Sequence, residues 1–213
     1  MASEAKQKKV EQALKAAPVV PVMVIDEVVQ AVPLARALVN GGLPVLEITL
    51  RTASALDSIR AIIAEVEGAI VGAGTVMSPQ QLHEVAKIGC AFAVSPGHTA
   101  KLLDAAEDVE MPLLPGGVTA SEVMGLLERG YRFQKFFPAE PAGGTATLSS
   151  LASPIPQVKF CPTGGINYAL APSYLKLANV ITLGGSWMAP KAAVSAGDWA
   201  TIEKLAREAA SLR

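Results

Sequence analysis

Short apolar runs recur along the chain, separated by longer half-polar stretches. The runs are VVPVMVI (19–25), VLEIT (45–49), AIVGAGT (69–75), FAVSP (92–96), PLLPG (112–116), FQKFF (133–137), VKFCPTG (158–164) and VITLGGS (180–186). Each reads as a strand. Between them, stretches such as EVVQAVPLARALVNGG, SPQQLHEVAKIG and TASEVMGLLERG carry apolar residues at helical spacing and end in glycine, as helices tend to. Strands alternating with helices imply parallel strands joined by crossovers. Eight such units in about 200 residues predict a (β/α)₈ barrel at the compact end of that fold's size range. The alternative is an open doubly wound sheet, but the Gly-rich turn expected after its first strand is missing. An extra helix over roughly residues 3–16 is expected to precede the first strand and to cover the barrel's bottom. No linker-like or low-complexity stretch divides residues 1–213, which are expected to form one domain.

Alternation within the strands then decides which side chains share a face. Strand two separates Val45, Glu47, Thr49 and Arg51 from the aliphatic set Leu46, Ile48 and Leu50. The aliphatic set belongs against the helices, so Glu47 projects into the lumen and Arg51 lies above it at the mouth. Strand six groups Phe133, Lys135 and Phe137 on one face, with Phe136 opposite, and this register puts Lys135 inside the barrel. A lysine among phenylalanines can simply lay its stem along apolar surface. A lumenal Glu–Lys pair can also be an ordinary buried ion pair, but such pairs add little net stability over apolar replacements. Charges in a lumen normally filled by Val, Ile and Leu therefore point to chemistry. A lysine in an apolar pocket is a good nucleophile toward ketones and forms a Schiff base.

Composition narrows the partners. Apolar residues make up 51 % of the chain and charged residues 17 %, enough for a substantial core, and the formal net charge is −1. Nothing here favours nucleic acid or an anionic membrane. The N-terminus lacks the apolar segment of a signal peptide, and no run approaches eighteen apolar residues. Cys90 and Cys161 form neither a disulfide framework nor a metal pattern, so a cytoplasmic protein is expected. His83 on a helix and His98 in a loop offer no ligand spacing, so no metal is expected.

Strand seven ends in Thr163-Gly164-Gly165 and strand eight in Gly184-Gly185-Ser186. Loops at these two places in such barrels often hold a phosphate through backbone N–H groups. One Gly-Gly pair is usually only a turn, but two at the two expected places imply a ligand with a phosphate at one end. Its reactive carbon would lie near Lys135, and Arg51 can grip a carboxylate.

LEITLRT (46–52), VGAGTV (71–76), SPG (95–97), QKFFPAE (134–140), FCPTGGI (160–166) and GGSW (184–187) together resemble the 2-dehydro-3-deoxy-6-phosphogluconate (KDPG) aldolase family of the Entner–Doudoroff pathway. The motifs run in family order over nearly the whole chain. The resemblance implies a class I aldolase, a lyase on a (β/α)₈ barrel, homotrimeric and without cofactor. Its substrate would be a phosphorylated 2-keto acid, cleaved to pyruvate and glyceraldehyde 3-phosphate. The resemblance also implies Lys135 as the Schiff-base lysine and Glu47 as the general acid and base. Arg51 and Thr75 would lie near the pyruvoyl portion, and Gly164, Gly165 and Ser186 at the phosphate. Pro96, Phe137, Thr163 and Gly185 complete the expected substrate contacts. His98 departs from the apolar residue expected after SPG. Alternatives are a relative acting on 4-hydroxy-2-oxoglutarate or the galactonate epimer, and a catalytically silent phosphate-binding barrel or scaffold of the same fold.

Overall fold

The structure is a computed structural model that describes residues 1–212. The first half of the chain runs α1 (Glu4–Lys15), β1 (Val19–Met23), α2 (Val28–Asn40), β2 (Val45–Thr49), α3 (Ala55–Glu65), β3 (Ile70–Gly74), α4 (Pro79–Ile88) and β4 (Phe92–Val94). It continues with α5 (Ala100–Asp108), β5 (Leu113–Leu114), α6 (Ala120–Glu128), β6 (Phe133–Phe136) and α7 (Gly144–Ala152). The last elements are β7 (Lys159–Pro162), α8 (Ala171–Leu175), β8 (Leu183–Gly185), α9 (Lys191–Ala196) and α10 (Trp199–Ala210). Local chemistry sets many of these boundaries. Ser78 caps α4 by accepting from the Gln81 N–H, Pro79 opens the helix, and Gly89 closes it at φ 96°. Thr119 and Glu122 form a reciprocal capping box at α6.

All strand pairs are parallel, in a six-stranded sheet of order β5-β4-β3-β2-β1-β8 and a β6–β7 pair. Isolated parallel bridges join Gly116 to Lys135 and Thr163 to Gly184. The sheet is curled, with helices on its outer side. Leu46 and Ile48 are fully buried in the outer cluster with Leu34, Leu38 and Ile59. Each contributes about 1.5–3 kcal/mol through that burial. Val45, on the other face of β2, joins Val20, Val94, Phe133 and Cys161 in a separate inner cluster. The alternation expected for β2 and β6 is therefore the alternation observed. Val10 and Leu14 of α1 reach the same inner cluster, and the Gln7 side-chain Oε1 accepts the Arg132 backbone N–H at 2.8 Å.

β5 is shorter than its apolar run because Pro115 has no N–H to continue the ladder. The Pro115 carbonyl still accepts the Lys135 N–H at 2.9 Å, which ties β5's end to the lysine-bearing strand. Among the described residues, no helix is long and apolar enough to cross a membrane.

Candidate active site

Glu47 occupies the middle of β2, where register sets it opposite Val22 of β1 and Gly72 of β3. Lys135 lies in β6, opposite Cys161. Although 88 residues apart in sequence, the two side chains meet: Lys135 Nζ donates to Glu47 Oε1 at 3.0 Å. Both side chains are only 4 % exposed. A charged pair this deep repays its desolvation only with good geometry, and losing one partner would cost about 3–5 kcal/mol. The contact also gives the lysine's proton a destination, which an amine needs before it can act as a nucleophile.

Gly74, at the end of β3, makes room for the carboxylate. A Cβ there would lie 2.2 Å from Glu47 Oε1 and 2.6 Å from its Cγ. The Phe137 ring lies over the lysine, with Nζ 5.4 Å from its centroid, a cation–π distance. The Phe137–Pro138 peptide is cis. Cys161, beside Lys135, is a neutral thiol, because burial pushes it up to about 12.

Arg51 and Thr75 form a second group, with Arg51 Nε donating to Thr75 Oγ1 at 3.1 Å. Thr75 adopts φ 59°, a conformation that β-branched residues rarely take and that clusters at functional sites. A third group surrounds a cavity of about 170 Å³ whose walls include Arg51, Phe137, Thr163, Gly164, Gly165 and Ser186. Gly164 and Gly165 sit at φ 103° and 82°, where a side chain would be strained, and both present backbone to this space. Gly184 leaves room for the Thr163 hydroxyl, which would lie 2.1 Å from a Cβ at that position. Gly185 borders the same cavity and packs under the Trp187 ring.

The structure thus brings together Lys135 with Glu47, Arg51 with Thr75, and the two glycine loops with Ser186. Phe137 links the lysine to the cavity. Pro96 is set apart, facing a separate hollow of about 250 Å³ with Met77 and His98. Its carbonyl nonetheless approaches Gly116, where an added Cβ would lie 2.3 Å from it. His98 Nδ1 meets the Gly116 carbonyl at 2.8 Å, so the unexpected histidine ties two rim loops together. A larger hollow of about 770 Å³, bordered by Arg60, His83 and Lys87 on the outer face of α3 and α4, holds no buried ion pair. No set of three or more His, Cys, Asp or Glu side chains among the described residues could hold a metal ion.

Contacts beyond these rim residues also escaped the sequence reading. Cys161 was legible in principle, since it stands two residues before Thr163 and so shares its face. The Tyr174 hydroxyl donates to Glu140 across 34 residues, a pairing no local signal announces.

Known proteins carry the same arrangement of chain. A family model described as KDPG and KHG aldolase matches residues 10–205. The KHG/KDPG aldolase of Escherichia coli (strain K12) is 54 % identical over 199 residues, covering 93 % of each chain. The KDPG aldolase of Legionella pneumophila, with pyruvate captured at low pH as a covalent carbinolamine intermediate, superposes with a TM-score of 0.92 at 45 % identity. That match covers 94 % of this chain and 98 % of the Legionella chain. The 2-keto-3-deoxy-6-phosphogluconate aldolase of Zymomonas mobilis ZM4, with 3-phosphoglycerate, also superposes at 0.92, with 46 % identity over 97 % of each chain. A match spanning most of the sequence, together with a shared fold, leaves one assignment: the chain belongs to the KDPG and KHG aldolase family.

Proposed function

We propose that the chain is a class I aldolase that cleaves 2-dehydro-3-deoxy-6-phosphogluconate to pyruvate and glyceraldehyde 3-phosphate. The observation that carries this reading is the desolvated Lys135–Glu47 contact of 3.0 Å, linked by Phe137 to a cavity walled by two glycine loops. A scaffold has no use for such a pair, which adds little stability of its own.

In the proposed mechanism, Lys135 passes a proton to Glu47 and its free amine attacks the substrate's C2 ketone. The resulting carbinolamine loses water, with Glu47 returning the proton, and leaves a cationic imine. Glu47, directly or through one water, takes the C4 hydroxyl proton. The C3–C4 electron pair then flows into the imine, the aldehyde leaves, and an enamine remains. Protonation at C3 and hydrolysis release pyruvate and restore the lysine. Arg51, held by Thr75, is placed to bind the carboxylate of the pyruvoyl portion. Thr163, Gly164, Gly165, Gly185 and Ser186 surround the phosphate, where backbone N–H groups and one hydroxyl face the dianion. Pro96 acts at the rim, through the abutting Gly116 and the Gly116–Lys135 bridge. The name of the Escherichia coli relative supports KHG as a second substrate.

The two sheets are inferred to close as one (β/α)₈ barrel, a reading supported by the Gly116–Lys135 and Thr163–Gly184 bridges. In it, α1 is the extra helix that covers the bottom. An inner cluster drawing on α1, β1, β2, β4, β5, β6 and β7 supports a single domain. The two free, buried cysteines fit a cytoplasmic location. Exposed apolar side chains such as Val29 and Met77, 76 % and 59 % exposed, support association, and a homotrimer is the state proposed; sedimentation would test it.

Borohydride reduction in the presence of pyruvate tests the central proposal. One reduced pyruvyl adduct is expected on the peptide containing QKFF. An adduct on Lys159 or another lysine, or none, would remove Lys135 from the mechanism.

A further inference from the structure

Glu140 ends the QKFFPAE stretch but lies outside the chemistry described above. It sits on the loop after β6, immediately beside the loop after β7. The two loops are joined by the Ala139 N–H to the Thr163 carbonyl at 2.8 Å and the Glu140 N–H to the Gly164 carbonyl at 3.1 Å. Glu140's stem covers Gly165: a Cβ there would meet Glu140 Cβ at 2.7 Å and Cγ at 2.9 Å. Its carboxylate reaches the start of α7, where a Cβ on Gly144 would lie 2.9 Å from both Glu140 Oε1 and the Tyr174 hydroxyl oxygen. Tyr174, on α8, is fully buried and donates its hydroxyl to that carboxylate.

A carboxylate beside a phosphate dianion is an electrostatic problem, since like charges at close range repel. Here Glu140 is not part of the cavity wall, although Gly164 and Gly165 are. Its head points to Tyr174 instead. We propose that Tyr174 is a positioning residue that, by holding Glu140, fixes the Gly164–Gly165 loop and keeps the neighbouring carboxylate off the substrate's phosphate. Burial, and then the bond to Glu140, push the tyrosine's ionisation upward, so the hydroxyl stays a donor wherever the enzyme is folded. The hydrogen bond is charge-assisted and therefore among the stronger kinds. The inference rests on reading the Gly164–Gly165 loop as the phosphate site.

The test compares condensation of pyruvate with glyceraldehyde 3-phosphate and with unphosphorylated glyceraldehyde, in wild type, Tyr174→Phe, Glu140→Gln and Glu140→Ala. Tyr174→Phe keeps the buried ring and loses only the tether. Its KM for the phosphorylated aldehyde should rise by about tenfold, the scale of a lost hydrogen bond to a charged group or a modest misplacement. Its kcat/KM for glyceraldehyde and its borohydride trapping with pyruvate should match wild type. Glu140→Gln still offers a carbonyl oxygen to Tyr174 and should retain phosphate selectivity, while Glu140→Ala should lose it. Equal losses on both aldehydes, or unchanged selectivity in Tyr174→Phe, would overturn the inference, as would Glu140→Gln behaving like Glu140→Ala. If Tyr174→Phe does not fold, the Gln–Ala pair decides alone. A wild type without preference for the phosphorylated aldehyde would overturn the phosphate reading and this inference together. Preference that is undiminished in Tyr174→Phe overturns the inference alone.

Discussion

Replacing Gly74 by alanine tests whether the position of Glu47 sets the rate. Gly74 has an ordinary strand backbone, so alanine fits its conformation, and the only conflict is spatial. The added Cβ would lie 2.2 Å from Glu47 Oε1 and 2.6 Å from Cγ. To restore normal separation the carboxylate must retreat by more than about 1 Å. That displaces it from a partner now 3.0 Å away. Proton transfer by a placed side chain contributes about 10²–10⁴-fold, and a 1 Å misplacement alone can cost about a hundredfold. Gly74→Ala should therefore lower kcat for KDPG cleavage by about a hundredfold, read by coupling released pyruvate to lactate dehydrogenase. Borohydride should still trap pyruvate on Lys135, but more slowly than in wild type, because the displaced Glu47 also takes the lysine's proton. Gly72→Ala is the control, since its Cβ would conflict first with the Phe92 ring, at 2.3 Å. It should lower the melting temperature, as overpacking does, without a matching loss of kcat. The reasoning fails if Gly74→Ala cleaves substrate at the wild-type rate, or if Gly72→Ala loses as much.

Other consequences are open to measurement. Ser186→Ala should weaken binding of the phosphorylated aldehyde by about tenfold to a hundredfold, with the unphosphorylated aldehyde hardly affected; equal losses on both would remove Ser186 from the phosphate site. Exhaustive dialysis against EDTA should leave KDPG cleavage unchanged, because an imine already supplies the electron sink; recovery only on adding a divalent ion would refute the class I mechanism. Burial pushes the Cys90 thiol from 9.0 up to about 12, so above pH 9 the unfolded chain releases this proton while the folded chain keeps it. Stability from this group is complete below pH 9 and lost on rising toward about 12, by up to about 1.4 kcal/mol per pH unit. Urea unfolding at neutral pH and at about pH 10.5 should show the stability gap between wild type and Cys90→Ala narrowing at the higher pH; a gap independent of pH would contradict that burial effect.

What the sequence made legible followed from short-range periodicity. β2 was expected at Val45–Thr49 and is observed there, because every second residue carries a distinct chemical signal. The same alternation was enough to put Glu47 and Lys135 on one surface. It could not supply their 3.0 Å contact, which depends on the curvature of the sheet and on the space left by Gly74. Strand ends were less legible where proline interrupts an apolar run, as at Pro115. The Tyr174–Glu140 and His98–Gly116 contacts were invisible, because each joins residues far apart in sequence, on separate segments, through one hydrogen bond. No period in the chain encodes such meetings.

The docking of α1 bears on the order of events during synthesis. Gln7 contacts the Arg132 backbone across 125 residues, and Lys6 Nζ donates to the Ala106 carbonyl across 100. This helix therefore waits for more than a hundred further residues to be made before its seat exists. Until then its apolar stripe of Val10, Ala13 and Leu14 is exposed on a nascent chain. At about 5–20 residues per second that interval lasts several seconds, long compared with helix formation itself. Such a stripe is open to a chaperone throughout that interval, and its seating marks the arrival of the strand that brings the lysine.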